Sequence, residues 1–433
     1  MRLAIVNLFY PPDLAPSAHF AASLAEHRAG LGDEVTVICG RGSYLGGSTG
    51  FDSRGGRREA AASFPSPRVI RVWTPALGKA NTVRRLGDYV TFLVSAVSRL
   101  AVLPRQDVVI ALTTPPYVEG AAIPHRLLHR RTRIILWSHD VYPDAAEEYG
   151  TIKRGGIASR ALRATKRWLF RHADHVVALD RAMLDRLLSQ YARNGRPTGS
   201  VIPNWEPLAL FPPGRRPSRW NAYDEPELAG RYVVLYLGNL GYGHPTDTIV
   251  EAAVRLRDDS VAFLFVGGGV RYPELKQKAK RQNLDKVLLR DYVPKEETPS
   301  VLAGADAALI SLDEGSLGIM SPCKLHGSLA MGVPIMYIGP TGTNVDEAIT
   351  TYGCGFSVRQ GDVDGLVESL RRLRDDQELA TEMSKNARRA FEEAYSDART
   401  LPQFDALLDG LVNGRSMSAA EAGRRGMLRD RRR

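Results

Sequence analysis

Residues 232–269 read "YVVLYLGNLGYGHPTDTIVEAAVRLRDDSVAFLFVGGG". Two runs rich in β-branched and aromatic residues, 232–238 and 261–269, each end in glycine, and between them "DTIVEAAVRLRD" spaces its apolar residues as a helix does. Continuous apolar runs of this length mark strands buried on both faces. A strand, a glycine loop, a helix and a second strand form the repeating unit of a parallel sheet. The alternation continues through "YPELKQKAKRQNL" and "ETPSVLAGA" as helices with "KVLLRDYVP" and "DAALISL" as strands. It ends with "PCKLHGSLAMG" as a helix and "VPIMYIG" as a strand.

The same pattern runs toward the N-terminus. "LAIVNLFY", "SAHFAASLAEHRAGLGD" and "EVTVICG" open a βαβ unit, and "RVIRVWTP", "DVVIALTTPP", "RIILWSHDVYP", "HVVALD" and "GSVIPN" read as further strands. Helices are expected over 84–103, 120–129, 157–172 and 181–191. Two α/β series imply two facing Rossmann-like, doubly wound domains, with ligands in the inter-domain cleft at the carboxyl ends of the strands. The Pro- and Arg-rich "EPLALFPPGRRPSRWNAYDEPELAG" interrupts the alternation and marks the linker. The expected organisation is a first domain over 1–205, a linker over 206–230 and a second domain over 231–390. A helix over 391–412 would cross back to the first domain, and a basic tail would occupy 413–433. A Gly-, Arg- and Ser-rich loop is expected between Arg41 and Ser66.

The chain has 433 residues, a formal charge of +10 and three cysteines. Cys39, Cys323 and Cys354 lack metal-ligand spacing, which argues against a disulfide framework or a zinc site and fits a reducing cytoplasm. The first strand carries no signal-peptide pattern. The apolar stretch Tyr89–Leu103 is broken by Arg99 and falls short of the ~20 residues a bilayer span needs. The positive charge suits an anionic partner or, equally, the plain solubility of an Arg-rich chain. No nucleic-acid motif accompanies it, so nucleic acid is not an expected partner.

Chemistry is expected at the strand ends. In "NLFYPPDLAPSAHF", Ser17 and His19 stand where a helix begins, either capping it or bordering a ligand. "WSHDVYPD" sets His139 and Asp140 at a cleft edge, where one could polarise a hydroxyl or hold a sugar. The other reading is a turn held by Asp140 and Pro143. Gly238, Gly241 and Gly243 permit close backbone approach, and "FVGGGV" at 265–270 is a second glycine loop without dinucleotide spacing. No Walker sequence occurs. Lys324 in "SPCKLHGSLAMGVPIM" lies at a helix mouth, either as a solvated charge or facing an anion such as a phosphate.

Together, "NLFYPPDLAPSA", "SHDVYPD", "VIPNW", "GNLGYGHPTDTIVEAA", "ADAALISL", "SPCKLHGSLAMGVPI" and "GCGFSVRQGD" resemble the family 4 glycosyltransferases of the GT-B fold, over about residues 1–410. Within that family they are similar to the bacterial transferases that build surface polysaccharide and lipopolysaccharide. The resemblance implies retaining transfer of a hexose from a nucleotide-diphosphate sugar, UDP above all, to a hydroxyl acceptor. It implies neither a cofactor nor a metal. Catalytic roles would fall to Lys324, His139 and Asp140, with Lys324 neutralising the departing diphosphate. The donor would meet Gly238, Asn239, Gly241, Tyr242, His244, Gly267, Gly268, Val293, Pro294, Gly318, Ser321 and Pro322. Pro12, Ser17 and His19 would lie on the acceptor side.

This chain departs from the family at two positions where relatives carry Glu, which are here Ile319 and Gly327. The usual Arg and Lys after the glycine loop are also replaced, with Tyr242 and His244 in that region. Two alternatives follow: a nucleotide-sugar 2-epimerase of the same fold, or a weakly catalytic partner subunit of an active transferase. Arg84, Arg85 and Arg99 around an apolar helix, with Trp73, Trp168 and the basic tail, suit an anionic membrane surface and a lipid-linked acceptor at the inner face of the cell membrane. Ordinary packing of that helix is the competing account.

Overall fold

A computed structural model of the chain describes residues 1–13, 15–41, 66–75, 82–214 and 217–413. In the first half, β1 (Arg2–Val6) leads through α1 (Pro16–Gly30) to β2 (Glu34–Cys39) and β3 (Arg68–Arg71). Helix α2 (Thr82–Ala101) returns to β4 (Val108–Leu112), and α3 (Ala122–Leu128) leads to β5 (Arg133–Trp137). The short α4 (Asp144–Glu148) and the basic α5 (Ile157–His172) precede β6 (His175–Ala178), and α6 (Arg181–Tyr191) precedes β7 (Thr198–Val201).

These seven strands form one parallel sheet in the order β3-β2-β1-β4-β5-β6-β7. Its order reverses beside β1, where Leu3 pairs with Val35 on one side and Val108 on the other. A crevice therefore opens at the carboxyl ends of β1 and β4. All five residues of β4 are buried. Burial of each Val, Ile or Leu stabilises the fold by ~1.5–3 kcal/mol, which is why the strand can be apolar throughout.

The second half repeats the plan. Its strands are β8 (Tyr232–Asn239), β9 (Val261–Gly268), β10 (Val287–Arg290), β11 (Ala307–Ser311), β12 (Ile335–Ile338) and β13 (Gly355–Val358). They are joined by α7 (Asp247–Arg255), α8 (Tyr272–Arg281), α9 (Thr298–Ala303), α10 (Lys324–Ala330) and α11 (Asn344–Tyr352). The parallel order β10-β9-β8-β11-β12-β13 reverses beside β8. The fold is thus two parallel-sheet α/β domains, as the alternating pattern predicts.

After β13 the chain forms α12 (Val363–Asp375) and α13 (Gln377–Ala390), passes a π-helical turn at Phe391–Tyr395, and ends in α14 (Asp397–Asn413). Helix α14 packs on the first domain. Phe404 is fully buried, with its ring 4.7 Å from that of Trp137 and 6.0 Å from that of Trp205, and Asp405 pairs with Arg28 at 2.8 Å. The two chain crossings lie side by side: Glu206 N–H donates to Tyr395 O at 3.2 Å, and Asp397 N–H to Glu206 O at 3.1 Å.

Three short elements, α4, α11 and β13, escape the sequence patterns. β13 is a four-residue edge strand with mixed burial, too short to show a period. Ser17 does not cap α1. The cap position is Ala15, without a side-chain hydrogen bond, and Pro16 sits in the first turn, where its missing N–H costs nothing. Most of the 41–66 loop and nearly all of the 413–433 tail lie outside the described residues. Among the described residues no helix is long and apolar enough to cross a membrane.

Candidate active site

On the second domain the cleft is built around the close approach of β8 and β9. A Cβ on Gly267 would lie 2.2 Å from Gly238 O, at a φ of +146°. Only glycine fits there, and Gly238 itself has a φ of +117°. Gly268 lies under the ring of Tyr292, whose hydroxyl donates to Asn239 Oδ1 at 3.3 Å. Tyr292, half exposed, gives the rim beside Val293 and Pro294 an aromatic face that the sequence patterns miss.

Lys324 comes to this point from α10, with its stem passing over Gly238 at 3.7 Å from that residue's Cβ position. Its Nζ lies 4.8 Å from the centre of the Tyr236 ring and 3.4 Å from His244 Nε2. His244 donates from Nδ1 to Ser311 O at 2.5 Å, so its Nε2 is free to accept from the ammonium. Burial, then the Lys324 charge, lowers the His244 pKa to about 3 and holds the ring neutral. Burial likewise lowers Lys324 to about 8, leaving it mostly charged at neutral pH. A partly desolvated cation with neutral neighbours is poised for an anion. With only seven residues in α10, this attraction rests on the side chain more than on the helix field.

The structure therefore revises the reading of His244. It is buried between Ser311 O and the Lys324 ammonium, so it anchors Lys324. The exposed Tyr242 stacks on Tyr149 of the first domain with ring centres 5.9 Å apart. Gly241 packs against Asn239, whose amide nitrogen would be 3.1 Å from an added Cβ.

On the first domain, β5 ends at Trp137, so His139 and Asp140 lie beyond the strand and need not point to opposite faces. The Thr113 hydroxyl accepts from both backbone N–H groups, at 2.9 and 3.3 Å, and fixes this turn. The His139 ring packs between Phe20, at 5.7 Å, and Trp137, at 5.1 Å, with Nε2 shielded and unbonded. Burial lowers its pKa to about 4 and raises that of Asp140 to about 6. His19 is also held neutral, near 4, first by burial and then by the positive charge of Lys295 across the cleft. Pro12 is exposed at the rim, while Ser17 is buried and accepts from Asn7 Nδ2 at 3.4 Å.

The loop from β11 to α10 runs between the domains. Gly318, at a φ of +69°, faces the backbone of α6, where an added Cβ would lie 2.6 Å from Ala182 O. Ser321 lies beside Asp180, the residue that caps α6, and works against the rise that burial gives the Asp180 carboxyl. Both residues thus neighbour α6 of the first domain. Pro322 is buried, with its carbonyl 3.4 Å from Asn344 Nδ2. Ile319 is buried as well, and a Cβ on Gly327 would meet Leu302 at 3.3 Å, so neither position offers a polar group to a ligand.

Comparison with known proteins agrees with this architecture. Residues 17–205 match the family described as "Glycosyl transferase 4-like domain", and residues 220–390 match "Glycosyl transferases group 1". The chain is 26% identical over 280 residues to the probable glycosyltransferase WbjE of Pseudomonas aeruginosa, covering 64% of this chain and 68% of that one. It is 25% identical over 383 residues to the putative colanic acid biosynthesis glycosyl transferase WcaI of Escherichia coli K12, covering 86% and 92%. Among solved structures, sucrose-phosphate synthase of Thermosynechococcus elongatus superposes with a TM-score of 0.72 at 15% identity, covering 95% and 99%. Anabaena HepE in complex with UDP and glucose superposes with a TM-score of 0.68 at 14% identity, covering 94% and 99%. Two parallel-sheet domains, matched in turn by two glycosyl transferase families across most of the sequence, place the chain in the GT-B glycosyltransferases.

Proposed function

We propose that this glycosyltransferase moves a hexose from a UDP-sugar to a hydroxyl acceptor with retention of anomeric configuration, in the assembly of a polysaccharide or glycolipid. The observation that carries the reading is Lys324 held over the Gly238–Gly267 backbone by neutral His244. In the mechanism, Lys324 binds the diphosphate and offsets the charge that grows on it as the glycosidic bond breaks. The glycine backbone lets the phosphates approach, and the Tyr292 rim borders the nucleoside. His139, neutral and packed between Phe20 and Trp137, shapes the acceptor side of the cleft, where ionised Asp140 can hold a sugar hydroxyl. The relative named for colanic acid biosynthesis and the neighbour solved with UDP and glucose support the substrate classes.

No metal enters this reading, because the charge on the diphosphate falls to Lys324. The test is incubation with a panel of UDP-, GDP- and ADP-sugars and hydroxyl acceptors, with and without EDTA, and with product anomers assigned by NMR. Expected are UDP release with a glycosylated acceptor, unchanged by EDTA, and an anomeric configuration like that of the donor. A donor epimerised without acceptor would establish the epimerase instead. Folded protein that neither binds nor turns over any donor would favour the partner subunit.

The reading includes an anionic membrane surface. Helix α2 exposes Leu86, Val90 and Val94 one turn apart, by 58%, 53% and 60%. Helix α5 carries exposed Arg160, Arg167 and Arg171 around half-exposed Trp168 and contains no acidic residue. Apolar side chains beside arginines suit the headgroup region of an anionic bilayer. Liposome flotation should show binding to vesicles with anionic lipid at low salt that weakens at high salt. Failure to float at low salt would remove the membrane from the proposal.

A further inference from the structure

The loop between β11 and α10 is tied to its own domain at Asp313 and Glu314 and bonds to the first domain from Ser316 to Met320. The Ser316 and Tyr149 hydroxyls are 2.9 Å apart, and Tyr149 also donates to Met320 Sδ at 3.3 Å. Leu317 O accepts from Arg186 Nη2 at 3.0 Å, and Ile319 O accepts from Val141 N–H at 2.9 Å. Met320 pairs with Asp140 in an isolated antiparallel bridge. Arg186 is itself held by buried Asp144 at 3.2 Å, so its guanidinium spans a carboxylate of one domain and a carbonyl of the other.

Lys324 follows Met320 by one turn of chain. From these contacts we infer that the 313–321 loop is an inter-domain latch, with Arg186 and Tyr149 as positioning residues that present Lys324 to the donor diphosphate only when the first domain is docked. The position where relatives place a carboxylate, Ile319, serves this joint through its backbone carbonyl. Asp140 and Lys324 then move together, because the Asp140–Met320 bridge and the Val141–Ile319 hydrogen bond join their backbones. The inference rests on the donor reading above for what Lys324 binds. The latch itself needs only the inter-domain contacts.

The test uses Arg186→Ala and the milder Tyr149→Phe in the full chain, with hydrogen–deuterium exchange, UDP titration and steady-state kinetics. The Val141 amide is the reporter, since it donates across the joint. Its exchange should quicken about tenfold in Arg186→Ala, with β8 and β9 unchanged, because a local opening is released without global unfolding. UDP affinity should fall about threefold, since Lys324 is presented to the diphosphate less often, while turnover at saturating donor falls about tenfold, the signature of a lost positioning effect. Tyr149→Phe should move the same readouts in the same direction by less, and Arg186→Lys should recover part of the loss. Unchanged Val141 exchange in both variants would overturn the latch whether or not the protein proves to use UDP. Faster exchange with unchanged turnover would overturn the positioning role, and UDP affinity falling as far as turnover would do the same.

Discussion

The two loops that meet at Lys324 are built in opposite ways. The 238–246 loop is held by its own domain, with Gly267 pressed beneath the Gly238 carbonyl and His244 bonded to Ser311 O, while the Tyr242 ring stacks across the cleft on Tyr149. The 313–321 loop, tied to its own domain at Asp313 and Glu314, bonds outward from Ser316 on, to Val141, Tyr149 and Arg186 of the first domain. Lys324 belongs to both, since its ammonium rests against the first loop while its backbone continues the second. A charge that must be both fixed and switchable can gain each property from a different loop.

The sharpest way to break this comparison is to remove the residue the loops share. Lys324→Met keeps the stem over Gly238 but deletes the charge, and should lower turnover by about 10²–10³-fold. Its folded-state pKa is depressed, so burial already disfavours the ammonium and the melting temperature should not fall. A variant that turns over normally would remove Lys324 from the mechanism.

A paired glycine test sharpens the contrast. Gly267→Ala forces a Cβ onto the Gly238 carbonyl and should cost ~1–3 kcal/mol of stability while weakening UDP binding. Gly318→Ala presses instead on Ala182 O of the first domain, so it should loosen the inter-domain contact and weaken UDP binding less than Gly267→Ala does. If both variants affect UDP binding equally, in a titration followed by thermal melts, the loops are not separate devices.

The smallest expected effect is on pH. Lys324 loses its proton above about 8, so UDP affinity should fall roughly tenfold between pH 7 and 9 as the charged fraction declines. Asp140, raised to about 6, should put a rising limb near that pH on turnover that disappears in Asp140→Asn. For stability the sign is the reverse of a salt bridge. A carboxylate whose folded pKa is raised costs stability as pH climbs from its unfolded value toward 6.

Much of the fold was legible because apolar runs and helical spacing are local. The helices expected over 157–172 and 181–191 match the observed bounds of α5 and α6. Lys324 was legible as a lysine where a helix begins. Its anchor was not, because His244 lies eighty positions away and no periodicity links the two. The latch was illegible for the same reason: a backbone carbonyl such as that of Ile319 leaves no mark on sequence. Gly318 shows the limit of glycine as a signal. It announces that something comes close, and here the visitor is the Ala182 backbone instead of a ligand.

Helix α14 carries one more consequence, for the order in which the molecule is made. Trp137 and Trp205 need Phe404 to complete their packing, and Phe404 emerges roughly 200 residues after Trp205. At a synthesis rate of about 5–20 residues per second, the first domain waits roughly 10–40 s on the ribosome with that hollow open. A chain cut just before α14 would therefore be expected to lose its beginning, with the second domain left folded.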